Sequence, residues 1–180
     1  DMMTLMSAVV PSFNVNTQPI NDASTLVRPA NLRGLPPDST LVLVNGKRRH
    51  RSAVITFLGG GLSDGSQGPD ISTIPSIALK QVEILRDGAA AQYGSDAIAG
   101  VINFRLKDNN EGGAIEIKTG QHYDGDGDLR QVSANIGMPF TDNGFANFST
   151  EFKQSDPTSR SVQRGDAAGL VAAGNTNIAN

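Results

Sequence analysis

From Ile115 onward the chain alternates apolar and polar side chains, in three successive segments. In the first, Ile115, Ile117 and Thr119 share one face while Glu116 and Lys118 share the other; in the second, Val132, Ala134, Ile136 and Met138 oppose Gln131, Ser133 and Asn135. The third sets Ala146, Phe148, Thr150 and Phe152 against Asn147, Ser149, Glu151 and Lys153. Neighbouring side chains of a strand point to opposite faces, so this two-residue period predicts three β-strands, each with one apolar and one polar side. Asp124-Gly125-Asp126-Gly127-Asp128 and Thr141-Asp142-Asn143-Gly144 have tight-turn chemistry and predict that the strands are joined as hairpins. At about nine to eleven residues each, the segments have the length a tilted strand needs to cross a bilayer, with the apolar-out, polar-in dyad of a barrel wall. Soluble antiparallel sheets alternate as well, so the pattern alone leaves both environments open. Three strands cannot close a barrel, which takes about eight, so a barrel reading expects further strands beyond Asn180. From Asp156 the sequence is rich in Ser, Gly, Asn and Ala without a period and predicts a long surface loop.

Up to Lys107 the pattern is irregular. Short apolar runs at Leu41 to Val44, Val54 to Leu58 and Val82 to Leu85 are separated by Gly, Pro, Asn and Asp, as in a small α+β domain. Ile74 to Lys80 predicts a short helix with Pro75 in its first turn, and Ala89 to Tyr93 a second one closed by Gly94. Between them Gln81 to Arg86 alternates and reads as a strand that Asp87-Gly88 turns. The polar stretch Asp108-Asn109-Asn110-Glu111-Gly112-Gly113 marks the domain boundary, with 1–107 on one side and 108–180 on the other.

Composition narrows the class. Fifteen Lys plus Arg against 18 Asp plus Glu give a net charge of -3, too weak a field to gather nucleic acid. Without cysteine there is neither a disulfide framework nor a thiolate metal site. Twenty Gly and nine Pro in 180 residues favour turns and short strands over long helices. No window approaches the ~18 apolar residues of a membrane helix. The opening Asp1-Met2-Met3-Thr4-Leu5-Met6 lacks the basic region of a signal peptide, so the start of the gene product is expected to precede this chain.

Candidate chemistry is sparse. Gly61-Leu62-Ser63-Asp64-Gly65 matches the nucleophile elbow of an esterase, but Ser66-Gln67-Gly68-Pro69 cannot open the helix that must follow, and only His50 and His122 could serve as base. The glycines from Gly59 lack phosphate-loop spacing. Asp124, Asp126 and Asp128 begin like a calcium loop, yet Leu129 stands where its glycine belongs and Asn135 where its bidentate glutamate belongs. No catalytic group, metal site or cofactor is expected. Lys47-Arg48-Arg49-His50-Arg51 is the one basic cluster, suited to an anionic ligand, a lipid phosphate or carboxylates of an enclosing wall.

A series of short motifs between Leu32 and Lys107 then changes the picture: Leu32-Arg33-Gly34, Thr40-Leu41-Val42-Leu43-Val44-Asn45-Gly46, Ile74-Pro75, Val82-Glu83-Ile84-Leu85-Arg86-Asp87-Gly88, Tyr93-Gly94, and Ala97-Ile98-Ala99-Gly100-Val101-Ile102-Asn103. In order and spacing the series resembles the plug of TonB-dependent outer-membrane receptors. The resemblance implies an α+β plug domain, a small mixed sheet with short helices, over 1–107, followed by the first antiparallel strands of a transmembrane β-barrel over 108–180, all part of a longer protein. It places Leu41 to Val44, Val82 to Leu85 and Gly100 to Phe104 in the sheet. Arg33, Gly34, Asn45, Gly46, Glu83, Arg86, Gly88, Tyr93, Gly94, Gly100 and Asn103 are its structural motif residues. It implies energised uptake, without bond chemistry, of a scarce nutrient such as an iron chelate, cobalamin or an oligosaccharide in a Gram-negative outer membrane. The partners implied are that small ligand, outer-membrane lipid and an inner-membrane energy-coupling protein, and the ligand contacts expected are Arg48, Arg49, His50 and Gln67. Two departures stand out: no coupling box is visible ahead of Val10-Pro11-Ser12-Phe13, and Asp87-Gly88 occupies the place of the usual Gly-Pro. The competing class is a soluble β-rich binding or adhesion module, which needs a layer to cover Ile115, Ile117, Val132, Ile136, Phe148 and Phe152.

Overall fold

The computed structural model describes residues 2–15, 26–56, 61–142, 144–158, 160, 162 and 164–175. Helix α1, Met2–Val9, was not foreshadowed by the sequence pattern: it has no charged residue in its first or last turn, and it forms because Met, Leu and Ala are good helix formers and Met6 has a core to enter. Pro11 prevents its continuation, and the chain enters strand β1, Phe13–Val15, which pairs antiparallel with β2, Ala30–Leu32.

Four strands form the central mixed sheet: β3 (Thr40–Val44), β4 (Lys47–Arg48), β5 (Leu79–Leu85) and β6 (Gly100–Leu106), in the order β4-β3-β6-β5. Strand β3 runs parallel to β6, with Val42 opposite Ile102, while β5 runs antiparallel to β6, with Ile84 opposite the same Ile102. This is the mixed sheet expected of Leu41 to Val44, Val82 to Leu85 and Gly100 to Phe104. Its two inner strands bury both faces, which explains why they read as continuous apolar runs. Val42, Ile102 and Phe104 join Met6, Phe13 and Leu32 on one side, and Leu41, Leu43 and Val101 meet Ala89 and Ala97 on the other. Phe104 and Ile102 are fully buried, each a gain of roughly 1.5–3 kcal/mol.

Helix α2, Ala89–Tyr93, has the predicted bounds, and Gly94 closes it at φ +88° with its N–H on the Ala90 carbonyl at 2.9 Å. The helix expected over Ile74 to Lys80 is corrected. Only Ser76–Ala78 turns, as a single 3-10 turn, because Leu79 and the residues after it are taken by the ladder with β6. The predicted run Val54 to Leu58 is not a strand over Val54 to Thr56; Phe57, Leu58, Gly59 and Gly60 lie outside the described residues.

After the polar linker come β7 (Gly113–Gly120), β8 (Leu129–Thr141) and β9 (Gly144–Ser155), hydrogen-bonded in sequence order. The link from Thr141 to Gly144 is short enough only for an antiparallel pair; Asn143 within it is outside the described residues. Strands β8 and β9, at 13 and 12 residues, exceed the length expected. The unbroken loop expected after Asp156 is also corrected, since helix α3, Ala167–Ala172, interrupts it and buries Ala167.

By contacts the chain divides into two units. The first holds 1–117 and 132–152, so the mixed sheet and the near parts of the hairpins belong together; the second holds 118–131 and 153–180. Within the second, the Asp156 N–H bonds to the Asp128 carbonyl at 2.9 Å.

Candidate functional site

The turn between β3 and β4 positions the basic cluster. Asn45 and Gly46 both have positive φ, +50° and +76°, as a two-residue hairpin turn requires. Asn45 is held there by its side chain: Oδ1 accepts from the Leu106 N–H at 2.9 Å, while the Gly46 N–H donates to Asn103 Oδ1 at 2.9 Å. Asn103 also donates to Glu83 at 2.7 Å, and Gln81 donates to the second oxygen of the same carboxylate at 2.6 Å. Three motif residues far apart in sequence thus form one bridge across β3, β6 and β5. Hydrogen bonds from Asn103 and then Gln81 hold the Glu83 carboxyl below its ordinary value of 4.5. The stabilisation from a depressed carboxylate is full above its unfolded pKa and is lost as pH falls through the folded value. The unfolding temperature of the domain that holds the mixed sheet should therefore fall below about pH 4.5, and Glu83→Gln should remove part of that fall, as read by calorimetry at pH 6 and pH 3.5.

Arg33, at φ +56°, and Gly34, at +68°, form a left-handed pair that aims the Arg33 guanidinium at the Arg86 carbonyl (2.9 Å) and Asp87 (3.4 Å). Arg33 is thereby paired inside this domain. Gly88, at φ +69°, precedes α2, and Tyr93 at its end is exposed.

Arg48, Arg49 and His50 line a cleft of about 190 Å³ together with Asp38, Pro69 and Asp96. The guanidinium of Arg48 is bonded to Asp96, and that of Arg51 lies 3.9 Å from the same carboxylate. The hydrogen bond from Arg48 is the chief cause of the lowered Asp96 pKa. Arg49 donates to Thr73 Oγ1 at 3.2 Å. Gln67 is turned into its own loop, with Nε2 on the Ser52 carbonyl at 2.8 Å and its backbone N–H on Asp38 Oδ1 at 3.1 Å, so it shapes the loop beside the cleft without lining it. Among the described residues, the Thr40 hydroxyl on the cleft's lining is buried without a hydrogen-bond partner, a group that a bound ligand or water could satisfy. Asp96 is the residue missed by sequence reading: it lies 48 positions from Arg48, and nothing local marks it.

The other candidate motifs are accounted for structurally. Ser63 is buried, 3.4 Å from the Asn31 amide, and its carbonyl accepts from Thr56 and Ser66, so it packs a loop instead of presenting an exposed hydroxyl. Asp124 and Asp126 receive the Arg160 guanidinium at 2.9 and 2.6 Å, which fills the space between two of the three carboxylates of the calcium-like run.

The hairpins show an inverted burial pattern. Gln131, Ser133 and Asn135 are 8%, 0% and 5% exposed, whereas Ile136, Phe148 and Ile115 on the opposite face are 51%, 61% and 77% exposed. Val44, Ile74, Pro75 and Leu106, from the mixed sheet and the turn before β5, face Asn147 and Ser149 across one cleft, so the polar side of the strands is the side turned to that sheet.

A model of the family described as TonB-dependent Receptor Plug Domain matches residues 1–101. The chain belongs to the TonB-dependent receptors. Membership places it in the outer membrane of a Gram-negative cell. It is 35% identical over 115 residues to the probable TonB-dependent siderophore receptor PirA of Acinetobacter baumannii, covering 62% of this chain and 15% of that protein. It is 35% identical over 96 residues to the vitamin B12 transporter BtuB of Vibrio vulnificus, covering 53% and 13%. Among solved structures it is similar to a ferric enterobactin receptor mutant of Pseudomonas aeruginosa, PfeA, in complex with enterobactin, with a TM-score of 0.61 at 25% identity over 84% of this chain and 22% of that one. The chain thus spans less than a quarter of the length of these relatives.

Proposed function

We propose that residues 1–107 are the plug and 108–180 the opening strands of the barrel in a receptor that takes up a scarce nutrient, such as an iron chelate, cobalamin or an oligosaccharide. The observation that carries this is the inverted burial of β8 and β9: a sheet that hides Ser133 and Asn135 and bares Ile136 and Phe148 is built for an apolar surrounding and a polar interior. The receptors similar to this chain include ones named for siderophores, enterobactin and vitamin B12, which supports a small chelated nutrient as its ligand. On this reading the work is transport with no bond made or broken. An inner-membrane TonB-type protein supplies the energy by pulling on the plug, and lipid covers the apolar face.

Arg48, Arg49 and His50 line the cleft that a negatively charged part of the ligand would enter, and Gln67 holds the adjoining loop. A cleft of about 190 Å³ admits one anionic group of a chelate and not the whole chelate. A charge-assisted hydrogen bond is worth about 1.5–3 kcal/mol, so replacing both Arg48 and Arg49 with Ala in the full receptor should weaken binding of an anionic chelate at least about tenfold. Titration of purified receptor with ferric enterobactin, ferric citrate and cobalamin measures this, and unchanged affinity for every ligand that binds removes the cleft from the ligand path.

The whole reading is tested by expressing the full-length parent gene and fractionating the cells. The product is expected in the outer membrane as a heat-modifiable barrel that restores growth on at least one of these nutrients. A soluble product would return Ile115 to Phe152 to the face of a β-rich binding module.

A further inference from the structure

The chain leaving the plug sheet is held continuously until it enters the wall. The Leu106 N–H is bonded to Asn45 Oδ1 at 2.9 Å, and the Lys107 N–H to the Ala78 carbonyl at 2.9 Å. Two residues later Asn109 is gripped from β9: Asn147 Nδ2 donates to Asn109 Oδ1 at 2.8 Å and to its carbonyl at 3.3 Å. Asn147 in turn accepts from Asn135 Nδ2 at 2.6 Å, and the same nitrogen lies 2.9 Å from Ser149 Oγ. A side-chain amide both donates and accepts, so a chain of three can cross-link a linker and two strands where a carboxylate, which only accepts, would end the series.

Strand β8 provides a second grip. The Gly137 N–H donates to the Gly112 carbonyl at 2.9 Å. A Cβ on Gly137 would stand 2.2 Å from the Asn109 carbonyl oxygen, so the linker lies this close to the wall only because residue 137 has no side chain. Beside this contact the packing opens: Asn147 and Ser149 border a cleft of about 310 Å³ with Arg49, Thr73 and Lys107. At this contact the linker is held by the side-chain amides and by the Gly137 backbone.

We propose that Asn109, Asn135 and Asn147, seated on Gly137, form a clamp that pins the plug's exit linker to the inner wall and keeps the stopper seated. These are positioning residues. They fix the exit linker against the strands of the wall. The proposal rests on the receptor reading, because a clamp of this kind has a purpose only where the hairpins are a barrel wall.

The test uses the full-length receptor in the outer membrane and reads the entry of vancomycin, which an intact outer membrane excludes. Asn147→Ala and Gly137→Ala, each present as a heat-modifiable barrel at the wild-type amount, are expected to lower the inhibitory concentration of vancomycin at least about fourfold. A paired Asn109→Cys and Asn147→Cys receptor replaces the amide contact with a covalent one. It should exclude vancomycin like the wild type when oxidised and leak like Asn147→Ala when reduced, a reversal that a merely destabilised fold would not give. Wild-type exclusion by both alanine variants, or a leak that ignores the state of the disulfide, overturns the clamp. Absence of the wild-type protein from the outer membrane would overturn the receptor reading and the clamp with it, whereas a correctly placed wild type with tight alanine variants overturns the clamp alone.

Discussion

Replacing Gly100 with alanine is expected to destabilise the plug by on the order of 3 kcal/mol, a large effect for one added methyl group. Gly100 opens β6 at φ +142°, a region essentially reserved for glycine, so any side chain there strains the backbone. Space adds a second penalty. A Cβ would lie 2.5 Å from the Leu85 carbonyl oxygen and 3.2 Å from a methyl of fully buried Leu32, and neither can yield without disturbing the β5–β6 ladder or the core beneath it. Gly94 is the natural control: at φ +88° and ψ -169° it shares a backbone region essentially reserved for glycine, but nothing lies within 4 Å of its Cβ position, so Gly94→Ala should carry the backbone penalty alone, about 1 kcal/mol. In calorimetry of the purified receptor, Gly100→Ala should lower the plug transition by more than about 10 °C and Gly94→Ala by about 4–8 °C. Equal shifts would mean that the close approach to Leu85 is relieved at no cost.

The two glycines also show what was legible in the sequence. Gly94 could be read locally, since a short alanine-rich run that ends in glycine gives both the helix and its terminus. The pairing of β3 with β6 was not local: the resemblance placed both segments in one mixed sheet, while their parallel direction and the register of Val42 with Ile102 are set by packing across 60 positions. Where local pattern and tertiary demand disagreed, the tertiary demand prevailed. Pro75 starts a turn as predicted, but the ladder with β6 claims Leu79 and Lys80 after a single 3-10 turn. Helix α1 shows no periodic polar face to mark it, since its stability depends on the core that receives Met6. The candidate site divides in the same way. Arg48, Arg49 and His50 were visible as a run, but their geometry depends on Asp96 and Thr73, neither adjacent in sequence. Gln67 was legible as a polar loop residue, while its engagement with the Ser52 carbonyl was not.

Placing a lysine on the bare face of the hairpins separates the two surroundings that an alternating sheet permits. Ile136 lies near the middle of β8, its side chain half exposed on the face opposite buried Ser133 and Asn135. In water, an exposed isoleucine changed to lysine is close to neutral, within about 0.5 kcal/mol, and improves solubility. At the middle of a bilayer the same change costs about 2–4 kcal/mol, because the ammonium must be desolvated or must drag water and headgroups inward. Ile136→Lys is therefore expected to reduce the heat-modifiable receptor in the outer membrane severalfold and to lower its unfolding free energy in lipid vesicles by about 2–4 kcal/mol. Phe148→Lys, on the adjacent strand and the same face, should behave alike. Lysine near the strand end, at Phe140 beside the short turn, should cost no more than about 1 kcal/mol, since the membrane penalty falls towards the interface. A graded cost that peaks at Ile136 is the signature of a bilayer. A flat, near-zero series would mean that water meets this face, and a uniformly large one that a protein layer covers it.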